Sequence, residues 1–476
     1  MHDPVTFALI LAGGIIVIGF LGNHLFKRTG IPDMLFLMIL GLLIGPVTGL
    51  VNGTSLMRFA PYLAAVALVF ILFDGGMAMN IYRVFSESPR ALILAVTSFI
   101  ASAAVTSLLM AFIVTPGVSL LYSLLLGTIL GGSSSTIVIS MASRLKMSEK
   151  GSTILGLESV INDILCIVIS LAVIEIILPG GTVDLATVAK SVASRFSIGA
   201  VLGALIGVGW LSILKRVAKA AYSYMLTLGV VLLAYALSEF LGGSGALCSL
   251  LFGIILGNEK EIYGILKTRK PTSQVVDAGL KRFESEMAFL LRTFFFVYLG
   301  LIVTTTSITI ILTGVLLSFS LLLIRFGAVR LATVRSELTQ ERTTMSLLLT
   351  RGLAAAVLAT LPLQYADPTN YPVVGKIFQQ LSSTYINMAV VVILTTSIIA
   401  TSSILTLKQK NKKQHQNRKE NRTDNTEQTL IKKQKLTNEN FSLRIHTQVS
   451  HKATANTPTC QHFSLWDRLK QSRADA

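Results

Sequence analysis

Long apolar runs separated by short polar loops fill the first 406 residues of this 476-residue chain. A run of about 20 apolar residues is long enough to cross a bilayer as a helix. The pattern predicts about thirteen such spans, over roughly 6–24, 33–50, 57–78, 90–114, 117–143, 151–178, 187–213, 222–241, 243–258, 283–304, 308–333, 343–364 and 378–406. The fold class expected is an all-α polytopic membrane protein. Two halves of six spans around a linking seventh suit an inverted repeat, although no repeat is visible in the residues themselves.

The loops alternate in charge. Those holding Lys27/Arg28, Arg83/Arg90, Arg144/Lys146/Lys150, Lys215/Arg216/Lys219, Lys260/Lys267/Arg269/Lys270 and Arg335/Arg342 alternate with loops nearly free of Lys and Arg. The positive-inside rule puts the basic set in the cytoplasm. An odd number of spans then leaves the N-terminus outside and the C-terminal tail inside, as expected of a multi-pass plasma-membrane protein. No cleavable signal peptide is evident, because Met1-His2-Asp3-Pro4 lacks a basic leader.

Two spans are poor candidates for unbroken helices. The fifth carries Gly127…Gly131-Gly132-Ser133-Ser134-Ser135-Thr136 at mid-membrane, and the twelfth carries Thr350-Arg351-Gly352. Broken helices at that depth are tolerated only when buried in protein or lining a cavity. Their dipole ends then face whatever ion occupies the centre. The alternative is a small-residue packing face. Together the two suggest a broken helix in each half.

Composition agrees with the pattern. The chain is 52% hydrophobic and 14% charged, against about 25% charged in a soluble domain. Its net charge of +17 would suggest nucleic acid in a soluble protein, but here much of it lies in a tail. From 407 to 476 the chain is rich in Lys, Asn, Gln and Thr, and is expected to be a disordered cytoplasmic tail resting on anionic lipid. Residues 1–406 form the membrane domain. Cys166, Cys248 and Cys460 are isolated and suggest neither disulfides nor a metal site.

The costliest residue is Asp163, near the middle of the sixth span. A carboxylate at that depth costs at least ~2.5–3.5 kcal/mol, so it is a functional-site candidate by default. Helical spacing puts Ser159 on its face and pairs Asn162 with Glu158 on the adjacent one. Carboxylate, hydroxyl and carbonyl oxygens are the ligands that hard cations take. Burial favours a neutral carboxyl over a bare ion, so such a group holds either a proton or a cation. Competition for one site is enough for exchange if the site faces the two sides in turn. Glu158 needs a partner, and Arg292 or Arg351 could supply it. Asp74, in Phe73-Asp74-Gly75-Gly76, is either a further cation ligand or an interface acid. Glu175 and Glu239, near outer span ends, are expected to be snorkelling or solvated acids.

These residues resemble the monovalent cation:proton antiporter superfamily, in particular its NhaP/NHE-type sodium/proton exchangers. The most specific piece is Glu158-Ser-Val-Ile-Asn-Asp163, similar to the family's E-S-x-x-N-D; Phe73-Asp-Gly-Gly76, Phe294-Phe-Phe-Val-Tyr-Leu-Gly300 and Arg351-Gly352 support it. The resemblance implies a homodimer in which a mobile core carries the ion past a fixed domain. It implies that Asp163 is the shared cation/proton ligand, that Asn162 fixes the crossing helices and that Glu158 and Arg351 pair. The Asn-Asp form and Arg292 imply electroneutral exchange. One departure stands out: where the family has Thr-Asp-Pro, this chain has Ser133-Ser134-Ser135, more like the potassium-efflux Kef branch.

The expectation is an antiporter exchanging Na+, or alternatively K+, for H+ in pH homeostasis, with Ser159, Asn162, Asp74 and the hydroxyls and backbone around Ser133 to Thr136, Ser134 and Ser135 among them, completing the cation shell around Asp163. No further cofactor and no nucleic-acid partner are expected. A cation channel is the rival from another class, but one central acid in a long chain suits alternating access better than a symmetric filter. An organic-solute symporter would need a more polar centre. An enzyme fits least, since no nucleophile–base pair or metal motif is visible.

Overall fold

A backbone in hydrocarbon has no water to bond, so each apolar run satisfies its own N–H and C=O groups as a helix. In the computed structural model every regular element among the described residues is helical. The structure describes residues 4–29, 31–51, 53–79, 81–145, 147–178, 185–217, 222–265, 276–304 and 307–407. The basic tail lies outside them, as do the loop cations Lys146, Lys219, Lys267, Arg269 and Lys270.

Helices α1 (Pro4–Thr29) and α2 (Asp33–Leu42) open the chain, and α2 runs into a π turn, Leu43–Val47, that contains Pro46. The single turn α3 (Gly53–Leu56) precedes α4 (Ala60–Ala78), α5 (Ile81–Leu109), α6 (Leu120–Ile129) and α7 (Ser135–Arg144). The long α8 (Glu149–Ile177) and α9 (Leu185–Val217) lead to α10 (Ser223–Phe240), α11 (Gly245–Gly257) and the short α12 (Glu259–Ile265). Then come α13 (Ala278–Ile302), α14 (Ile308–Ala332), α15 (Arg342–Leu347), α16 (Leu353–Leu358) and α17 (Gly375–Leu407). Among the described residues eight helices are long and apolar enough to cross a bilayer, and five shorter apolar stretches run 10–17 residues.

The expected fifth span is two helices, α6 and α7, separated by the extended segment Gly132–Ser134. The twelfth is likewise split between α15 and α16. The two breaks meet. The Ser134 N–H donates to the Thr350 carbonyl at 2.8 Å, and Gly352 packs so closely on the Ser134 side chain that a Cβ would not fit. Ser133, Thr350 and Arg351 are all buried, as non-helical backbone at membrane depth must be.

The ninth span is α11, 13 residues long and mostly buried. It packs against α4, α9 and α10, so it needs no polar face. Glycines bring it against α4 backbone to backbone. A methyl added at Gly76 would strike the Leu250 carbonyl, one at Gly253 that of Phe73, and one at Gly257 that of Met77. Gly199 and Gly203 set α9 against Ser244 and Cys248 in the same way. Such small-residue faces give helices close contact where lipid offers no hydrophobic drive.

Candidate functional site

α8 carries both acids of the Glu158–Asp163 stretch, and its start is fixed by a cap. The Ser148 hydroxyl accepts from the Gly151 N–H at 3.0 Å. Ser148 itself donates from N and Oγ to Glu341, at 2.7 and 2.9 Å.

Three turns into α8, Glu158 is fully buried and fully bonded. Arg325 of α14 grips it with both terminal nitrogens, Nη1 to Oε1 at 2.8 Å and Nη2 to Oε2 at 2.9 Å. Asn162 Nδ2 donates to Oε1 at 2.5 Å, and Ser133 Oγ donates to the same oxygen at 2.9 Å. Bidentate, charge-assisted pairs of this kind are the strong ones. The Glu158 partner expected from the sequence, Arg351 or Arg292, is therefore corrected to Arg325. A lone Arg in the apolar run Leu321-Leu322-Leu323-Ile324-Arg325-Phe326 was the available signal.

Arg351 has a different task. Its Nη1 donates to the carbonyls of Gly131, at 2.9 Å, and of Gly132, while Nη2 donates to Ser102 Oγ at 3.2 Å. These carbonyls follow the end of α6, where the helix leaves C=O groups unpaired and carries its negative dipole end. A buried guanidinium caps them.

Ser159 also joins the Glu158 cluster. It is fully buried, with its Oγ 3.0 Å from Ser133 Oγ, so it does not line the cavity with Asp163 as spacing suggested. Asn162 is equally buried, bonded to Glu158, with its Oδ1 left without a partner.

Asp163 is half-buried, one residue on and about 100° round the helix from Asn162. It faces a cavity of about 720 Å³ bounded by α1, α4, α8, α11 and α13. Asp74 lies on the same cavity, as do Asn23, Ser285 and Arg292. Asp74 is half-buried and accepts from Ser285 Oγ at 2.7 Å. Arg292 is near enough for its charge to act on Asp74, and its Nη2 lies 3.8 Å from Asp33, a buried acid that the sequence reading passed over. A smaller cavity of about 90 Å³ shares Asn23 and Arg292 and is lined by Ser134 and Asp33. The Ser135 side chain lies outside the described residues. The expected residues thus divide: Asp163 and Asp74 share one cavity, Ser134 borders the next, and Ser159, Asn162 and Glu158 are closed within the core.

Glu175 and Glu239 are not simply solvated. Arg195 of α9 pairs with Glu175 of α8 and lies 3.9 Å from Glu239 of α10. Glu239 also accepts from the Gly245 N–H at 2.7 Å. Among the described residues no three His, Cys, Asp or Glu side chains gather where they could hold a metal ion.

A family model described as "Sodium/hydrogen exchanger, transmembrane" matches residues 13–409. The chain is 27% identical over 421 residues to the K(+)/H(+) antiporter NhaP2 of Shewanella sp. (strain MR-4), covering 85% of this chain and 67% of that protein. It is 24% identical over 267 residues to the K(+)/H(+) antiporter NhaP of Alkalimonas amylolytica, covering 54% of this chain and 45% of that one. Its fold is similar to that of the sodium proton antiporter MjNhaP1 of Methanocaldococcus jannaschii. The TM-score is 0.71 at 22% identity, over 85% of this chain and 98% of the other.

Proposed function

Because the chain belongs to the sodium/hydrogen exchanger family, we propose that it is a secondary active antiporter trading a monovalent cation for protons, with Asp163 as the exchanging carboxylate. The observation that carries this is a contrast within one helix. Glu158 has its oxygens filled by Arg325, Asn162 and Ser133, whereas Asp163 opens on the large cavity. Glu158 is thus spoken for, and Asp163 can take up and release its charge partner.

One carboxylate holding one proton or one monovalent cation makes the exchange one for one and electroneutral. Alternating access then needs only that Asp163 face the two sides in turn, by an elevator-like movement of the core against a scaffold in a homodimer. By the positive-inside rule the loop charges favour an N-terminus outside and a tail in the cytoplasm. In reconstituted vesicles, Asp163→Asn is expected to abolish exchange while the protein still inserts and dimerises; surviving exchange refutes the assignment. A ligand that must be deprotonated binds its cation less well as protons are added. The half-saturating cation concentration is therefore expected to rise as pH falls, with the maximal rate unchanged.

K+ is the second reading for the cargo, in place of Na+. Where the resembled family carries a further carboxylate, this chain has Ser133-Ser134-Ser135, and the weaker field of a site with one acid fewer disfavours the more tightly hydrated ion. Both relatives, from Shewanella and Alkalimonas, are named K(+)/H(+) antiporters. Equal exchange rates with Na+ and K+ in the same vesicles would count against K+ preference.

A further inference from the structure

Among the described residues one buried acid has neither a part in the exchange reading nor a hydrogen-bond donor. Glu284, in the second turn of α13, is 1% exposed, and neither of its carboxyl oxygens has a hydrogen-bond partner. A buried carboxylate with no donor is among the costlier things a fold can hold. Its surroundings add to that cost, because the charge that acts on it is another acid, Asp74 of α4. The next residue, Ser285, donates to Asp74 Oδ1 at 2.7 Å. One turn further along the same face of α13, Ala288 lines the large cavity, and one turn beyond that lies Arg292. The carboxyl therefore lies beside the wall through which Asp74 meets the cavity.

Two carboxyls and a hydroxyl offer five oxygens within neighbouring turns of two packed helices, the donor type that hard cations take. The lack of any protein donor to Glu284 is the mark of a group whose partner comes from outside. We propose that Glu284 and Asp74, with the Ser285 hydroxyl, form a second binding site for the transported monovalent cation, on the α4–α13 wall of the cavity and distinct from Asp163 on α8. The site gives the ion a stop between solvent and the exchanging carboxylate. The proposal rests on the reading that this cavity carries a monovalent cation.

The test removes the first site and asks whether a second remains. In purified Asp163→Asn protein, KCl or NaCl is expected to raise Tm relative to choline chloride. Adding Glu284→Gln, which keeps the shape of a neutral acid, is expected to raise the half-saturating salt concentration about tenfold or more, the scale of one lost charged partner. An Asp163→Asn protein whose Tm ignores both ions overturns the proposal, and so does a response that survives Glu284→Gln unchanged. If the Glu284 variant does not fold, Asp74→Asn in the same background carries the same expectation. Vesicle exchange by the wild type and by Asp163→Asn is read separately, and failure there refutes the Asp163 assignment, not this site.

Discussion

Glu158 and Asp163 stand five residues apart on one helix and live in opposite conditions. Around Glu158 the protein supplies an arginine fork, an amide and a hydroxyl, and leaves no space. Around Asp163 it leaves about 720 Å³. Burying an acid is expensive in both places, but Glu158 is closed in among its donors, whereas Asp163 faces a cavity wide enough for an ion. The bonded acid ties α8 to α14 as a fixed brace. Ser133, next to the break between α6 and α7, is bonded to that brace, so the brace also sets where the broken helices meet.

Substitutions should pull the two regions apart. The largest effect on transport is expected from Asp163→Asn, with exchange lost and Tm within a few degrees of wild type; a collapse of Tm would mean that Asp163 braces the fold as Glu158 does. The largest effect on stability is expected from Arg325→Leu, which strands Glu158 in the core. Breaking one side of a buried pair costs about 3–5 kcal/mol, read as poor yield or a lowered Tm in detergent. Glu158→Gln with Arg325→Gln should recover part of that loss, and a double variant worse than either single would refute the pairing. Arg351→Gln uncaps the end of α6 and is expected to cost about 1.5–3 kcal/mol, again in Tm, with Arg351→Gln and Glu158→Gln coupled far less than Arg325→Gln and Glu158→Gln. Strong coupling between Arg351 and Glu158 would restore the partnership that the sequence suggested. Arg195→Gln, removing a half-exposed pair between α8 and α9, should cost about 1 kcal/mol or less in high salt.

Much of this was legible before the structure. Hydropathy exposes helices in lipid because each must be apolar and self-bonded, and the Gly-Gly-Ser-Ser-Ser and Thr-Arg-Gly tracts marked the two breaks. Helical spacing assigned Ser159 to the Asp163 side, since residues four apart differ by only about 40°. It did not show that Ser133, brought in by the neighbouring broken helix, would take the Ser159 hydroxyl into the core. The choice of Arg325 over Arg351 was hidden for a similar reason. Either guanidinium could reach an acid, and the decision fell to the unpaired carbonyls after α6, which exist only once the span breaks. Glu284 escaped notice because Lys281-Arg282-Phe283-Glu284-Ser285-Glu286 looks like a solvated helix start, and only packing reveals which acid turns inward.

The glycine seam between α4 and α11 bears on how access to Asp74 can change. At Gly76, Gly253 and Gly257 the two helices lie carbonyl against Cα, with no side chains between them to act as bearings. Gly199 and Gly203 bind α9 into the same stack. Asp74 is therefore mounted on a three-helix plate, and α4 cannot slide or rotate alone without driving backbone into backbone. Any rearrangement that opens or closes this wall of the cavity has to carry the plate as one piece, with slip confined to joints where side chains interleave.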